Sequence, residues 1–236
     1  PVRTSPGEPV DVSRWPGGPA DGRIQFISTL CPNCGWDMQG SRDALVLQCD
    51  NCTSMWKAAK DGMTRVNVAH MPANSGGDVV YLPFWRIRAE VAGVPLATYT
   101  DLINLANLPK AVKPEWNHRA FYFWGPAFKL RPRSFLRLTR QVTVIQPHDE
   151  LVADPPGGAM HPVNLPVSES AEALKLTLAG MMRPKKRVAT SIDKISVTPR
   201  RYLLVYLPFE CRHHDLVNPP FNIAVNRNQL ALANNL

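Results

Sequence analysis

The sequence has no long hydrophobic run. No apolar segment approaches the roughly 18 residues that a membrane-spanning helix requires, and the longest one, residues 203–209, has only the length of a β-strand. The beginning of the chain is neither basic nor apolar, so it offers no secretory signal peptide. We therefore expect a protein without a transmembrane segment, for which peripheral association with a membrane surface stays open.

Motifs for common catalytic and cofactor sites are also missing. The chain contains no phosphate-binding glycine loop, no dinucleotide-binding fingerprint, no G-x-S-x-G elbow and no H-E-x-x-H zinc motif. Gly157 and Gly158 lie in a proline-rich connection rather than between a strand and a helix. The acidic pair Asp149 and Glu150 has no partner that the sequence places. These absences predict a protein that is not an enzyme and that has no small-molecule substrate.

Cysteine is scarce outside two C-x2-C pairs. Four of the five cysteines form these pairs, Cys31 with Cys34 and Cys49 with Cys52. Four thiolates at this spacing are typical of one tetrahedral structural zinc ion, because they fill all of its coordination positions. A rubredoxin-type iron site, for which the gap of 14 residues between the pairs is short, and a pair of disulfides are the alternatives. The cysteine usage also indicates a reducing compartment, and we expect the cytoplasm.

The residues after the two cysteine pairs differ. Gly35 follows the first pair and can supply the positive φ that the turn requires. Thr53 stands at the same place after the second pair, so we expect that turn to be less well defined.

The fifth cysteine lies in the sequence Cys211-Arg212-His213-His214. A cysteine and two histidines are potential metal ligands, or a nucleophile with its base. In a strand, however, Cys211 and His213 face one side and His214 the other, so three ligands do not converge. We interpret Cys211 as an ordinary buried or edge residue.

Basic residues are in excess, with 27 Lys and Arg against 19 Asp and Glu and a net charge of +8. Such an excess permits contact with nucleic acid, an anionic membrane surface or an acidic protein. Two basic groups stand out along the chain. The first is Lys129, Arg131, Arg133, Arg137 and Arg140, and the second is Arg183, Lys185, Lys186, Arg187, Arg200 and Arg201. Aromatic residues accompany the first group: Tyr122, Phe123, Trp124, Phe128 and Phe135.

These basic and aromatic residues permit two interpretations. Positive charge interleaved with aromatic rings is what proteins use to bind single-stranded nucleic acid. The other interpretation is a solvated basic face whose aromatic neighbours point into the core. We favour the second one, because no recognition helix or RNA-binding motif accompanies the charge.

The pentapeptide Val-Tyr-Leu-Pro-Phe occurs twice, at residues 80–84 and 205–209. Five identities in a row predict a duplicated β-rich unit whose two copies pack about a pseudo-two-fold axis. The alternative is two similar edge strands that arose independently, since short apolar β-runs resemble one another. Because proline lacks the amide hydrogen, we expect Pro83 at a sheet edge or a β-bulge.

The sequence predicts an α+β fold that is mainly β, with an N-terminal zinc ribbon and a duplicated β-rich domain with short helices. We expect an extended or disordered arm at residues 1–22, a zinc ribbon at 23–77, a first repeat at 78–147 and a second repeat with an amphipathic helix at 148–236. Hydrophobic spacing predicts helices at residues 100–108, 134–142 and 168–182. Ser168 or Ser170 would cap the third helix, and a closing hairpin is expected over residues 221–233.

The two cysteine pairs and the strand between them resemble a zinc ribbon of the transcription factor IIB type. With the aromatic-Pro-Phe-Trp strand at residues 81–85, the chain is similar to a broad family of bacterial ribbon-containing proteins of unknown function. Relatives also carry a Pro-containing strand, an amphipathic helix, a basic turn and a second aromatic-Pro-Phe strand, in the order found at residues 165–209. Val167 and Glu210 depart from the Phe and Trp that relatives tend to have there. The resemblance implies the fold and the metal but no activity.

The functional prediction is a non-catalytic zinc-ribbon scaffold or adaptor that docks to other proteins in a larger assembly. The ribbon would be a rigid docking element, and Trp15, Trp116 and Trp124 would be exposed anchors for partners. The alternative is a nucleic-acid-binding zinc-ribbon protein that uses the basic residues named above. An enzyme would need a second metal or cofactor.

Overall fold

The computed structural model describes residues 26–60, 62–74, 77–147, 151–184, 186, 188 and 191–233. The predicted arm at residues 1–22 lies outside these ranges, as do Trp15 and the basic residues Lys185 and Arg187. Within the described ranges the chain is mainly β with a few short helices, which confirms the predicted class.

The four-cysteine segment forms a small antiparallel sheet. Its strands are β1 (Met38–Gln39), β2 (Val46–Cys49), β3 (Met55–Ala59) and β4 (Gly62–Val66), and they pair in chain order. The last two strands meet at a tight turn, where Ala59 pairs with Gly62. Gly62 takes a positive φ of 123°, which is why glycine suits this turn.

A larger sheet of seven strands makes the rest of the β-structure. Its strands are β5 (Val68–His70), β6 (Val79–Ala92), β7 (Phe123–Pro126), β8 (Ala159–Met160), β9 (Ser196–Arg212), β10 (Asp215–Asn218) and β11 (Ile223–Asn226). The order across the sheet is β11-β10-β9-β6-β7, and the two long strands β6 and β9 pair antiparallel at its centre. The short strands β5 and β8 run parallel to β9 and β6, respectively.

The two copies of the Val-Tyr-Leu-Pro-Phe pentapeptide pair with each other in β6 and β9. Leu82 lies opposite Leu207 at the centre, and Val80 and Phe84 lie opposite Phe209 and Val205. The rings of Phe84 and Phe209 stack with centroids 6.4 Å apart and planes 14° from parallel. The pairing is therefore symmetric about the leucine pair.

Both prolines of the pentapeptides lie in these central strands, so the expectation of an edge or bulge at Pro83 was wrong. The carbonyl of Pro83 accepts a hydrogen bond from Ala127 N at 2.9 Å, on the outer side of β6. The amide nitrogen and carbonyl of one strand residue point to the same side, so the missing N–H also faces outward. At Pro83, the strand that pairs with the outer side of β6 changes from β8 to β7. Proline therefore costs no ladder hydrogen bond at this position.

The two faces of the large sheet carry two cores, because side chains alternate along each strand. Tyr81, Trp85 and Ile87 face one core, and Leu82 and Phe84 face the other. The first core also takes in buried residues of the small sheet, Val46, Met55 and Val66. Apolar packing thus joins the cysteine-bearing sheet to the large one.

In the described part of the chain, five helices and three 3-10 turns cover and connect the strands. The helices are α1 (Tyr99–Ala106), α2 (Pro132–Ile145), α3 (Val167–Glu172), α4 (Leu174–Met181) and α5 (Arg227–Ala233), and the 3-10 turns are Pro114–Asn117, Ile192–Lys194 and Pro219–Phe221. Helices α1 and α2 occur where the sequence predicted them. Thr98 and Asp101 form a capping box at the start of α1. None of the helices in the described part of the chain has the length and apolar character needed to cross a bilayer.

The helix predicted at residues 168–182 is two short helices, α3 and α4, that meet at Ala173. Neither predicted serine caps it, because the N-cap is Pro166 and has no side-chain hydrogen bond. Ser170 is buried instead, and its hydroxyl donates to the carbonyl of Pro126 over 3.1 Å. A tertiary contact therefore uses the hydroxyl that the local pattern assigned to capping.

The predicted closing hairpin over residues 221–233 was also wrong. Strand β11 pairs with β10, which precedes it, and the residues after Asn226 form α5. The side chain of Asn226 accepts a hydrogen bond from Asn228 N at 3.0 Å, so it supports the start of a helix.

Candidate metal centre

The fold brings the four cysteines of the two pairs together. The sulfur atoms of Cys31, Cys34, Cys49 and Cys52 all lie within 4.8 Å of one another. The Sγ atoms of Cys34 and Cys49 are 3.4 Å apart, and those of Cys31 and Cys52 are 3.6 Å apart. A tetrahedral zinc with Zn–S bonds of about 2.3 Å separates its sulfurs by about 3.8 Å, so the cluster is compatible with one zinc ion. The separations are far above a disulfide length of about 2.05 Å, and all four thiols are free.

Two similar turns position the ligands. Gly35 N donates to the carbonyl of Cys31 at 2.8 Å, and Thr53 N donates to the carbonyl of Cys49 at 2.9 Å. Gly35 has a φ of 74° and Thr53 a φ of 56°. Threonine thus takes the left-handed conformation that glycine takes in the first turn, although this is unfavourable for a β-branched residue. The second turn is as well formed as the first.

A serine supports the cluster from behind. The hydroxyl of Ser54 lies 2.9 Å from Cys52 Sγ and 3.4 Å from Cys31 Sγ. The indole Nε1 of Trp56 donates to the same oxygen at 2.8 Å. Because that oxygen already accepts from Trp56, its own proton is available to a thiolate. Such contacts orient metal ligands and tune their charge.

The pKa values of the cysteines follow from their surroundings. The hydroxyl of Ser54, followed by the side chain of Asn33, lowers the pKa of Cys52 to about 5. Burial raises the pKa of Cys49 to about 11. A metal ion would have to displace the proton of Cys49, so metal binding at this cluster is coupled to proton release.

A zinc ion held by all four sulfurs would have no coordination position for a substrate. Four sulfur ligands saturate a tetrahedral zinc, and this arrangement is structural rather than catalytic. Two of the ligands are almost fully buried, with Cys31 2% and Cys49 0% exposed. Around these cysteines, Met38 is the buried apolar residue of the local core, whereas Val46, Met55 and Val66 of the same sheet pack into the first core. A bound metal would add to the stability of the sheet at the end where the cysteines lie.

The cysteine-bearing sheet is also hydrogen-bonded to the rest of the protein. Leu45 N donates to the carbonyl of Val163 at 2.7 Å, and the side-chain amide of Asn164 donates to Asp43 Oδ2 at 2.9 Å. The Lys57 ammonium donates to the Tyr202 hydroxyl at 2.8 Å.

An apolar surface lies beside the first cysteine turn. We call it the ribbon patch, and it consists of Phe26, Leu30 and Trp36, which are 98%, 51% and 59% exposed. Leu30 pairs with Asp37, next to Trp36, in an isolated β-bridge. Phe26 and Leu30 also line a hollow of about 720 Å³ together with Met63. Sequence reasoning did not single out this surface.

The tryptophans proposed as anchors are less exposed than expected. Trp124 is fully buried in the second core, so its proposed role as an exposed anchor was wrong. Trp116 is half-buried against Tyr99, with ring centroids 5.1 Å apart. Trp36 is the exposed tryptophan that lies close to the cysteines.

The first basic group does not meet the aromatic residues beside it in the sequence. Arg131, Arg133, Arg137 and Arg140 are exposed on or beside α2, and Lys129 is half-buried. Phe123, Trp124 and Phe128 are fully buried, so they cannot stack on bases. Tyr122 is half-buried and lies under the guanidinium of Arg86, 4.7 Å from its ring centroid. Of the second basic group, the described members are all exposed: Arg183, Lys186, Arg200 and Arg201.

Cys211 and the two histidines after it do not join the cluster. Within the described residues, the four paired cysteines are the one group of three or more potential metal ligands. Cys211 is half-buried in β9, and His213 and His214 are exposed in the turn that follows.

Comparison of the chain with protein-family models, curated proteins and solved structures gave no match. The site therefore has to be interpreted from its own geometry.

Proposed function

We propose that this protein is a non-catalytic zinc-ribbon scaffold that docks to another protein through the ribbon patch. The observation that carries the proposal is the exposed patch next to a closed four-sulfur cluster. The cluster would hold one zinc, bound by Cys31, Cys34, Cys49 and Cys52, and the zinc would make the ribbon rigid. The resemblance to bacterial ribbon proteins of the transcription factor IIB type supports the zinc site but implies no activity.

The chemistry of the patch favours a protein partner. Trp36 precedes Asp37, the bridge partner of Leu30, so both exposed residues belong to the same loop, and large apolar side chains that stay exposed mark interaction sites. Tryptophan in particular is enriched among residues that dominate binding energy. A rigid support reduces the ordering cost of binding. The expected partner surface is therefore apolar, with a pocket that accepts an indole ring.

We also infer that the large sheet arose by duplication, with a pseudo-two-fold axis through the Leu82–Leu207 pair. The short parallel strands support this inference. Strand β8 pairs with the Val-Tyr of the first pentapeptide, and β5 pairs with the Val-Tyr of the second. Correspondingly, His161 N donates to the Tyr81 carbonyl and Met71 N to the Tyr206 carbonyl, both at 2.9 Å.

Two copies in which the short strand of each pairs with the long strand of the other would produce this arrangement. Each short strand comes before one long strand in the chain and pairs with the other. The segments themselves are similar, since Ala-His-Met-Pro begins at residue 69 and Ala-Met-His-Pro at residue 159. On this proposal the first copy begins near Val68 rather than at residue 78.

The docking proposal is tested in native extract. The full chain carrying Leu30→Ser and Trp36→Ser is compared with the wild type by native mass analysis. Leu176→Ser is the matched control, because Leu176 is 64% exposed on α4, away from the ribbon. We expect the wild type and the control in a larger assembly and the double variant as a free chain. A wild type that runs only as a free monomer would overturn the proposal.

A further inference from the structure

Two adjoining hollows form a groove on the side of the protein where α2 meets the Pro219–Phe221 turn. The first has a volume of about 610 Å³ and the second about 460 Å³, and both are lined by Ile145 and Phe221. Each is in the size range of ligand sites in proteins. We call the two together the basic groove, for the reasons below.

The second hollow gathers three arginines, Arg137, Arg140 and Arg183, and no carboxylate lines it. Arg140 lies across Gly180, where a Cβ would come within 2.9 Å of its Cδ. Arg183 donates to the carbonyls of Gly180 and Met182 at 3.2 and 2.9 Å. Within the described residues, none of the three arginines forms an ion pair with a carboxylate. Three like charges therefore share one surface, and no carboxylate in the described part of the chain pairs with them.

The first hollow adds two more cations and aromatic rings. Tyr99 lies between Lys110 and Arg119, whose charged groups are 5.6 and 4.8 Å from its ring centroid. Trp116 packs against Tyr99 in a T-shaped contact and lines the same hollow. One carboxylate, Glu210, also lines it, and its charge is offset by an ion pair with Arg212 at 2.7 Å.

We propose that the basic groove binds single-stranded nucleic acid. Five cations along one groove attract a polyanion, and the half-buried rings of Trp116 and Phe221 offer stacking surfaces for bases. The proposal uses a different surface from the ribbon patch, so either can fail without the other. It also differs from the pattern in the sequence, since Lys110, Trp116 and Arg119 belong to neither of the two basic groups and Arg183 comes from a distant segment. Helix α2 contributes only Arg137 and Arg140 to the cations of the groove.

The test measures binding of a fluorescent oligothymidine to the full, metal-loaded chain by anisotropy over a range of salt concentrations. The logarithm of the affinity falls with the logarithm of the salt concentration, with a slope of about 0.7 for each phosphate contact of a single strand. The triple variant Arg137→Glu, Arg140→Glu and Arg183→Glu removes three such contacts. It should therefore lower this slope by about 2 and the affinity roughly 100-fold at 0.1 M salt. The triple Arg→Lys variant at the same positions keeps the positive charges, so it should keep the salt slope. If the triple Glu variant does not fold, the triple Arg→Gln variant takes its place.

The matched control is the triple variant Arg42→Glu, Arg65→Glu and Arg201→Glu, which changes the net charge equally on exposed residues outside the groove. It should retain most of the affinity. An equal loss in the control, or no binding of the wild type at low salt, would overturn the proposal.

Base stacking is tested separately with Trp116→Leu. This variant should weaken oligothymidine binding roughly tenfold and leave the binding of inorganic polyphosphate unchanged. Polyphosphate, duplex DNA or anionic vesicles that bind as tightly as the oligothymidine, with no effect of Trp116→Leu, would contradict recognition of single strands.

Discussion

Leu82 and Leu207 lie directly opposite each other in the two central strands, and both side chains are fully buried in the same core. They are the middle residues of the two Val-Tyr-Leu-Pro-Phe segments, so the pentapeptides pair with themselves in antiparallel register. The residues of the two pentapeptides that flank the pair also face each other, and the rings of Phe84 and Phe209 stack. The centre of the large sheet is thus built from one short sequence used twice.

The leucine pair gives the first prediction. Leu82→Ala and Leu207→Ala should each destabilise the protein by about 2–5 kcal/mol, because each removes a fully buried side chain. The two losses should be similar in size if the environments are related by symmetry. Urea unfolding of both single variants and the double variant also gives the coupling, which we expect to be at least about 0.5 kcal/mol for residues in contact. Clearly unequal losses would argue against a symmetric pair.

Pro83, beside this pair, gives the second prediction. Pro83→Ala restores an N–H that faces the junction between β8 and β7, where no strand partner is lost or gained. We expect a loss in unfolding free energy of about 1–3 kcal/mol, because Pro83 is buried and the restored N–H gains no strand partner there. A loss as large as that of Leu82→Ala would show that the ring itself is needed for packing.

The cysteine cluster gives the third prediction. Cys34→Ser should abolish zinc binding and unfold the cysteine-bearing sheet, because metal binding there supplies folding energy. Cys211→Ser is the control, since Cys211 lies outside the cluster. Elemental analysis and thermal melting measure the two effects. A Cys34→Ser variant that keeps its zinc and its melting temperature would refute the assignment of this ligand.

Removing the hydroxyl of Ser54, which contacts the cluster, should have a milder effect than removing a cysteine. Ser54→Ala keeps all four sulfurs but removes the hydroxyl that lies 2.9 Å from Cys52. We expect zinc affinity to fall about 10–100-fold, as for other residues that orient metal ligands. Competition with a chromophoric chelator measures this, and Ser41→Ala, an exposed serine of the same sheet region, is the control.

His161 makes stability depend on pH. Burial lowers its pKa below the ordinary value, and the ring packs on Phe128 with centroids 5.3 Å apart. The unfolded chain therefore binds a proton more readily, so stability should fall as the pH drops below about 6.5. Comparing urea unfolding of the wild type and His161→Gln at pH 7.5 and pH 5.5 isolates this effect, because metal loss in acid affects both proteins. An identical pH dependence of the two would contradict it.

The sequence predicted the features that local chemistry decides. The cysteine spacing indicated a closed tetrahedral site, and the four sulfurs do lie together. The helix at residues 134–142 followed from its apolar spacing, and α2 extends it at both ends. What failed depended on distant contacts. Ser170 bonds to Pro126 instead of capping a helix, and Asn226 begins α5 instead of a hairpin.

The same limit applies to the functional surfaces. The basic groove joins residues that are far apart in sequence, so no window of the chain shows it. The aromatic residues beside Lys129 looked available for stacking, but Trp124 and Phe128 fill a core. Trp36 was visible next to Gly35, yet its exposure depends on where the first cysteine turn places it.

We propose above that the four cysteines hold a closed zinc site that stabilises the structure, and that function depends on the protein surfaces. X-ray absorption at the zinc edge of the natively purified protein tests this most directly. We predict one zinc per chain with four sulfur ligands at about 2.3 Å and no nitrogen or oxygen ligand. Three sulfurs with one oxygen or nitrogen would mean an open coordination position and would contradict the account.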